Sequence, residues 1–246
     1  MDDDHREHLP VVLPAKGVLM KKIGAITVGQ APRVDVTPDI EPLLRGITLV
    51  QRGALDGMTK EELKAIEPEE GDYVLVSRLK DGTSVKMAEK HILPRIQKII
   101  TELNEEGMEA ILMLCTGQFP HFESKVPLFY PQVLLQYFAE AVIGEKTLGV
   151  LTPDESQFPQ SIQRWKENGV KNVLVEAVSP YTEADKVPEA AKRLKDKGAD
   201  MIVLDCIGYS EAMKQALHEA VDIPAILGRT VAARFIAELY NEGKEL

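Results

Sequence analysis

The chain has 246 residues and a formal net charge of −10. Such an acidic chain lacks the basic field that a phosphate backbone requires, so nucleic acid is excluded as the main partner, while a local anion site built from helix N-termini and a few arginines stays open. No run approaches the roughly 18–20 apolar residues that span a bilayer, so no membrane partner is expected. With no apolar signal segment and only two cysteines, the chain reads as cytoplasmic.

Residues 1–20 read as an appendage. Met1–His8 is almost entirely charged, Pro10 and Pro14 bracket a short apolar stretch, and Met20, a candidate natural start, immediately precedes the first convincing strand. That strand is Lys22–Thr27 (KIGAIT), which runs into a polar loop, Val28–Arg33. Thr48–Gln51 and Tyr73–Ser77 are strand-like. Between them Thr59–Glu67 is a short helix, with Thr59 and Glu62 at capping-box spacing. Asp81-Gly82-Thr83, within Arg78–Lys86, is a turn signal that also suits a lid or substrate loop. His91–Asn104 carries a helical stripe of Ile92, Ile96, Ile99, Ile100 and Leu103. Ala110–Leu114 is then a continuous apolar strand leading to Cys115. Pro131–Val142 is a helix and Thr147–Thr152 (TLGVLT) a strand with a polar loop, Pro153–Gln157, behind it. Glu155–Glu167 is a helix toward a Gly169 cap, Val173–Val175 a short strand, and Val187–Lys197 a helix with Pro188 in its first turn. Met201–Leu204 leads to Cys206, and Thr230–Asn241 is the last helix, with Gly243 beyond it.

An internal repeat organises these elements. Leu103–Gly117 (LNEEGMEAILMLCTG) aligns without a gap on Leu194–Gly208 (LKDKGADMIVLDCIG), and KIGAIT pairs with TLGVLT. Each copy reads as a helix, a glycine cap (Gly107, Gly198), a tight turn and a strand buried on both faces. Strands alternating with helices imply an α/β protein with a parallel sheet in each half. The expected divisions are a tail over 1–20, a first half over 21–130 with Cys115, and a second half over 131–246 with Cys206. The helix at the end of the first half is a candidate for exchange into the other half. Ligands bind beyond the carboxyl ends of such strands, where both cysteines, Thr27 and Thr152 fall.

The segments ITVGQAPRVDVTPD (26–39), RGALDGM (52–58), SRLKDGTSVKM (77–87) and LDCIGY (204–209) resemble the AroM family, over nearly the whole chain from about Lys22 onward. More remotely, the paired cysteines are similar to those of the aspartate/glutamate/hydantoin racemase superfamily, which includes maleate isomerase relatives. That resemblance implies two pseudosymmetric Rossmann-like halves with a cleft between them, one catalytic cysteine from each half (Cys115 and Cys206), and no cofactor. Cys115-Thr116-Gly117 departs from the Cys-Asn-Thr common in the racemases, which speaks against amino-acid racemisation specifically.

Two thiols facing one carbon can move a proton from one face to the other, one as thiolate base and one as acid. The backbone N–H groups of Thr116, Gly117 and Gln118, and of Gly208, Tyr209 and Ser210, are candidates to hold a thiolate or a carboxylate. Thr27, Gln30, Thr116, Thr152 and Ser210 are candidate donors to an enolate-like intermediate, and Arg33 is a candidate bidentate carboxylate clamp. Asp205 is expected on the opposite face of its strand from Cys206, in a supporting role at most. Plainer readings stand beside these. A strand-end cysteine is often a small buried hydrophobe, Arg33 suits a surface ion pair, and Thr27 and Thr152 suit caps. No histidine or cysteine spacing suggests a metal, and no Walker A, GxGxxG, hydrolase triad or CxxC is present. The expected function is a racemase or isomerase acting on a small carboxylate without a cofactor. A single-cysteine lyase or decarboxylase, and a non-catalytic binding protein for an anionic metabolite, are the alternatives. Homo-oligomerisation is compatible with each.

Overall fold

The computed structural model describes residues 21–241. The expectations for residues 1–20 and for Gly243 lie outside that range. In chain order the elements are β1 (Lys21–Thr27), α1 (Thr37–Ile40), β2 (Ile47–Gly53), α2 (Lys60–Lys64), β3 (Val74–Arg78), β4 (Ser84–Ala88), α3 (Glu89–Glu105), β5 (Ala110–Leu114), β6 (Leu128–Phe129), α4 (Pro131–Ile143), β7 (Thr147–Thr152), α5 (Phe158–Glu167), β8 (Asn172–Ala177), α6 (Val187–Asp196), β9 (Met201–Leu204), α7 (Glu211–Ala220), β10 (Ala225–Leu227) and α8 (Gly228–Tyr240).

Two parallel four-stranded sheets result, ordered β2-β1-β5-β6 and β8-β7-β9-β10. The orders are the same once β1 is matched to β7 and β5 to β9, so the repeat in the sequence is a repeat in space. Registers agree as well: Gly24 pairs with Ile111, and Gly149 with Ile202. Each glycine lets a helix lie close on the sheet. A Cβ on Gly24 would stand 2.7 Å from Leu103, and one on Gly149 would stand 3.1 Å from Leu194, the leucines that open the two repeats. The caps at Gly107 and Gly198 adopt φ of 76° and 95°, the left-handed conformation that ends a helix cleanly.

The first half carries an antiparallel hairpin, β3–β4. Its turn is the Asp81-Gly82-Thr83 segment, closed by Leu79 N–H donating to Thr83 O at 2.9 Å, so the turn reading of that segment holds. The capping box of α2 forms as its sequence requires, with Thr59 and Glu62 satisfying each other's backbone N–H groups.

The covering of the sheets is crossed. On one face of the first sheet lie α3 and the hairpin, with Ile92, Ile96, Ile100 and Leu103 against Ile26, Ile111 and Met113. On one face of the second lie α6 and α7, through Ala190, Ala191, Leu194 and Leu217. The remaining face of the first sheet packs Ile23, Ala25, Ala110 and Leu112 against Ala232, Ala233 and Ile236 of α8, which follows the last strand of the second sheet. The remaining face of the second sheet packs Leu148, Val150 and Val203 against Leu135, Ala139 and Ile143 of α4, which follows the last strand of the first. Among the described residues, no helix is long and apolar enough to cross a membrane.

Candidate active site

Cys115 follows β5 and Cys206 lies two residues beyond β9, so two strands of matching position present the thiols from two sheets. Both are buried and unbridged, and both line one cavity. Each sulfur accepts the backbone N–H of the glycine two residues on, Gly117 and Gly208, at 3.3 Å in both cases. These glycines also have a steric role. Leu75 packs where a side chain on Gly117 would project, and Tyr181 where one on Gly208 would project. Burial pushes the Cys115 thiol up to about 12, against the Gly117 N–H that favours the thiolate. Burial raises Cys206 too, opposed by the Gly208 N–H and by the Tyr181 hydroxyl, whose oxygen lies 3.7 Å from the sulfur.

The cavity that both cysteines line has a volume of about 30 Å³, room for water but not for a substrate. A larger cavity of about 430 Å³ lies outside it, and Tyr73, Gln160 and Arg164 border both. Arg164, in the last turn of α5, ties the two thiol loops together. Its Nη1 donates to Thr116 O at 2.9 Å, beside Cys115, and its Nη2 pairs with the Asp205 carboxylate, beside Cys206. Trp165 Nε1 donates to the same Asp205 oxygen at 3.2 Å. Burial opposes the Arg164 charge, but Asp205 and Tyr73 hold its pKa above the ordinary arginine value.

Of the residues expected from sequence, Cys115, Thr116, Gly117, Thr152 and Cys206 border the inner cavity. The others stand elsewhere. Thr27 accepts from Gly29 N–H and from Arg33 Nη1, at 3.2 and 3.1 Å. Gln30 is spent holding Leu55 O and Lys80 N–H. The Arg33 fork is bidentate to Asp35 of its own loop, at 2.7 and 2.8 Å, and Nη2 also reaches the Tyr181 hydroxyl at 3.3 Å. Gln118 N–H donates to Tyr73 OH at 3.1 Å, and Gln118 faces the outer cavity. Gly208 serves its own thiol. Tyr209 is core, its hydroxyl on Val178 O at 2.6 Å, and Ser210 is the N-cap of α7, accepting from Met213 N–H. No helix follows Cys115 before β6, so only Cys206 sits ahead of a helix N-terminus.

Asp205 overturns its expectation. It lies past the end of β9, where strand alternation no longer governs direction, and it borders the cavity with Cys206. Tyr73, Gln157, Gln160, Ser161 and Arg164 were not anticipated. The signal was available for α5 alone, where Gln160, Ser161, Gln163 and Arg164 crowd the helix that follows the loop after β7. Among the described residues, no group of three or more histidine, cysteine or carboxylate side chains is placed to hold a metal ion.

Solved structures share this architecture. Glutamate racemase from Aquifex pyrophilus superposes with a TM-score of 0.55 at 16% identity, covering 89% of this chain and 84% of that one. Maleate isomerase Iso from Pseudomonas putida gives 0.58 at 13% identity, covering 89% and 94%. Unliganded arylmalonate decarboxylase gives 0.58 at 10% identity, covering 92% and 94%. The two parallel sheets with flanking helices are thus the racemase-like α/β fold. No curated protein matches the chain significantly. The family described as AroM protein matches residues 23–240, and the chain belongs to that family.

Proposed function

We propose that this protein is a cofactor-independent isomerase or racemase that moves a proton on a small carboxylate between Cys115 and Cys206. The observation that carries the reading is the placement of two buried thiols, at equivalent positions of two halves, on one cavity. The fold shared with glutamate racemase and maleate isomerase supports the same class of chemistry.

The step balances within the protein. A thiolate on one side takes the proton from the carbon beside the carboxylate, and the C–H electron pair delocalises into the carboxylate as an enediolate. The opposite thiol then gives its proton to the other face, and the two sulfurs have exchanged protonation states. A charge on Cys206 raises the pKa of Cys115, which favours the one-thiolate, one-thiol state that this transfer needs. Cys206 is the thiol we assign as the base, because the Tyr181 hydroxyl 3.7 Å away can support its thiolate in addition to the Gly208 N–H, whereas Cys115 accepts from the Gly117 N–H.

The test is exchange of the substrate α-hydrogen in deuterium oxide, followed by proton NMR over a panel of small carboxylates. Wild type incorporates deuterium with one class of acid, and Cys115→Ser and Cys206→Ser each lose it by at least about a thousandfold. Full exchange in both variants would sink the two-thiol mechanism. The additional donor on Cys206 also favours a second reading, a single-cysteine lyase or decarboxylase, and loss confined to Cys206→Ser would select it.

A further inference from the structure

Buried polar atoms are almost always partnered, and those that are not call for a cause. Gln157 Oε1, Ser161 Oγ, Arg164 Nε and Asp205 Oδ1 are buried and have no hydrogen-bonding partner among the described residues. All four side chains border the cavity that holds the two thiols. Arg164 and Asp205 are 7% and 2% exposed, so water outside the fold does not satisfy them. The neighbouring Arg33 has a partner for every fork nitrogen, Asp35 on two and Thr27 and Ser77 on the third, whereas Arg164 keeps one donor free on the cavity wall. The unspent set has a composition. Arg164 Nε–H and the Ser161 hydroxyl are donors, while Asp205 Oδ1 and Gln157 Oε1 are acceptors. A simple carboxylate matches only the donors. A carboxylate with an ammonium or hydroxyl group on the neighbouring carbon matches both sides.

We propose that Arg164 and Asp205 form the head-group receptor of the site, Arg164 taking the substrate carboxylate and Asp205 a hydrogen-bond donor on the α-carbon. This rests on the proton-transfer reading, and it narrows the substrate to α-amino or α-hydroxy acids. The Asp205 carboxylate holds the place on Arg164 that the substrate carboxylate would take. The small inner cavity opens when that pair separates, because Arg164 is part of the wall shared with the 430 Å³ cavity outside. The α-carbon so held lies beside both thiol loops, since Arg164 contacts the Cys115 loop and Asp205 directly precedes Cys206.

Trp165 is the sole tryptophan of the chain, and its indole N–H donates to Asp205, so its fluorescence reports the pair directly. The probes are two series that differ only at the α-carbon: alanine, lactate and propionate, and aspartate, malate and succinate, with both enantiomers of the chiral acids. The full chain is titrated while Trp165 emission and thermal stability are followed. The expected result is a shift in both with the amino or hydroxy member of one series, and binding of the unsubstituted acid weaker by about 10- to 100-fold. Asp205→Asn, which keeps the shape, removes that discrimination, and Arg164→Lys weakens all members together. Equal binding of substituted and unsubstituted acids, discrimination that survives Asp205→Asn, or no binding of any of the six would overturn the proposal. If Asp205→Asn does not fold, Ser161→Ala and Gln157→Leu provide the check, each expected to weaken the preferred acid by about tenfold. Selective binding without deuterium exchange would leave the receptor standing and remove the proton-transfer reading. Exchange without the selectivity would do the reverse.

Discussion

Arg33 with Asp35 and Arg164 with Asp205 are both buried ion pairs beside the thiols, yet they are built to different standards. Asp35 meets two nitrogens of the Arg33 fork, and the third nitrogen faces Thr27 and Ser77. Burial opposes the Arg33 charge, but Asp35 and Tyr181 hold its pKa well above the arginine norm, and the Arg33 bonds keep Asp35 below the usual carboxylate range. The Arg164 pair engages one nitrogen and one carboxylate oxygen and leaves one atom of each side chain unpartnered. The saturated pair fixes the first-half loop, while the unsaturated one has capacity left for a ligand. Burial alone therefore does not separate an architectural ion pair from a functional one; unused donors and acceptors on the wall of a cavity do, and the unused Arg229 Nη2 lies on neither cavity.

The largest effects expected are on stability. Arg33→Met leaves the partly buried Asp35 carboxylate with only Arg78, 4.0 Å away, and removes the donor that faces Thr27 and Ser77, and urea unfolding should show a loss of up to about 3 kcal/mol. Arg33→Met with Asp35→Leu should recover most of it. The corresponding Arg164→Met with Asp205→Leu should hold or gain stability while abolishing ligand-induced change in Trp165 emission. Similar behaviour of the two double variants in both assays would erase the distinction drawn between the pairs.

The thiols give a pH-dependent counterpart. Their folded pKa values lie above the unfolded value near 8.5. The native state therefore keeps protons that the unfolded chain has lost, and stability falls as pH rises through that range toward about 12 for Cys115. The slope is at most about 1.4 kcal/mol per pH unit for each thiol. Cys115→Ser should flatten it more than Cys206→Ser, in unfolding curves taken between pH 8 and 10.

Smaller effects compare the two halves directly. Gly24→Ala forces Leu103 to move, and Gly149→Ala presses less hard on Leu194 and Ala199. Losses of about 1–3 kcal/mol are expected, larger for Gly24→Ala. Thr59→Ala removes the α2 capping box, which has no counterpart in the second half, and should cost about 1 kcal/mol with ligand binding unchanged.

The elements readable in the sequence were those whose burial is written locally. β5, β7 and β9 are continuous apolar runs with glycine caps or loops on either side, and their bounds follow from that pattern. β6 and β10 are two and three residues long, too short for any periodicity, and β4 (SVKMA) alternates over only four residues directly behind the Asp81-Gly82-Thr83 turn signal, within the segment read as a turn or lid. α7 was missed because Leu217 is its one buried residue. The thiols were legible because the repeat aligned them. Arg164 was not, since an arginine on an amphipathic helix reads as a solvated charge, and only the docking of α5 against the Cys115 loop buries it. Asp205 was misread because the strand ends at Leu204, one residue before the alternation rule was applied.

The crossed covering of the sheets sets how the chain can come apart. α4 leaves its own sheet to cover the second, and α8 does the converse for the first. A fragment ending near residue 130 would leave Ile23, Ala25 and Ala110 uncovered, so melting of one half strips the other and the two unfold in a single cooperative transition. A polypeptide carrying one half alone would reach the same packing by trading that helix with a second copy of itself. The internal repeat is in this sense a swapped homodimer joined into one chain.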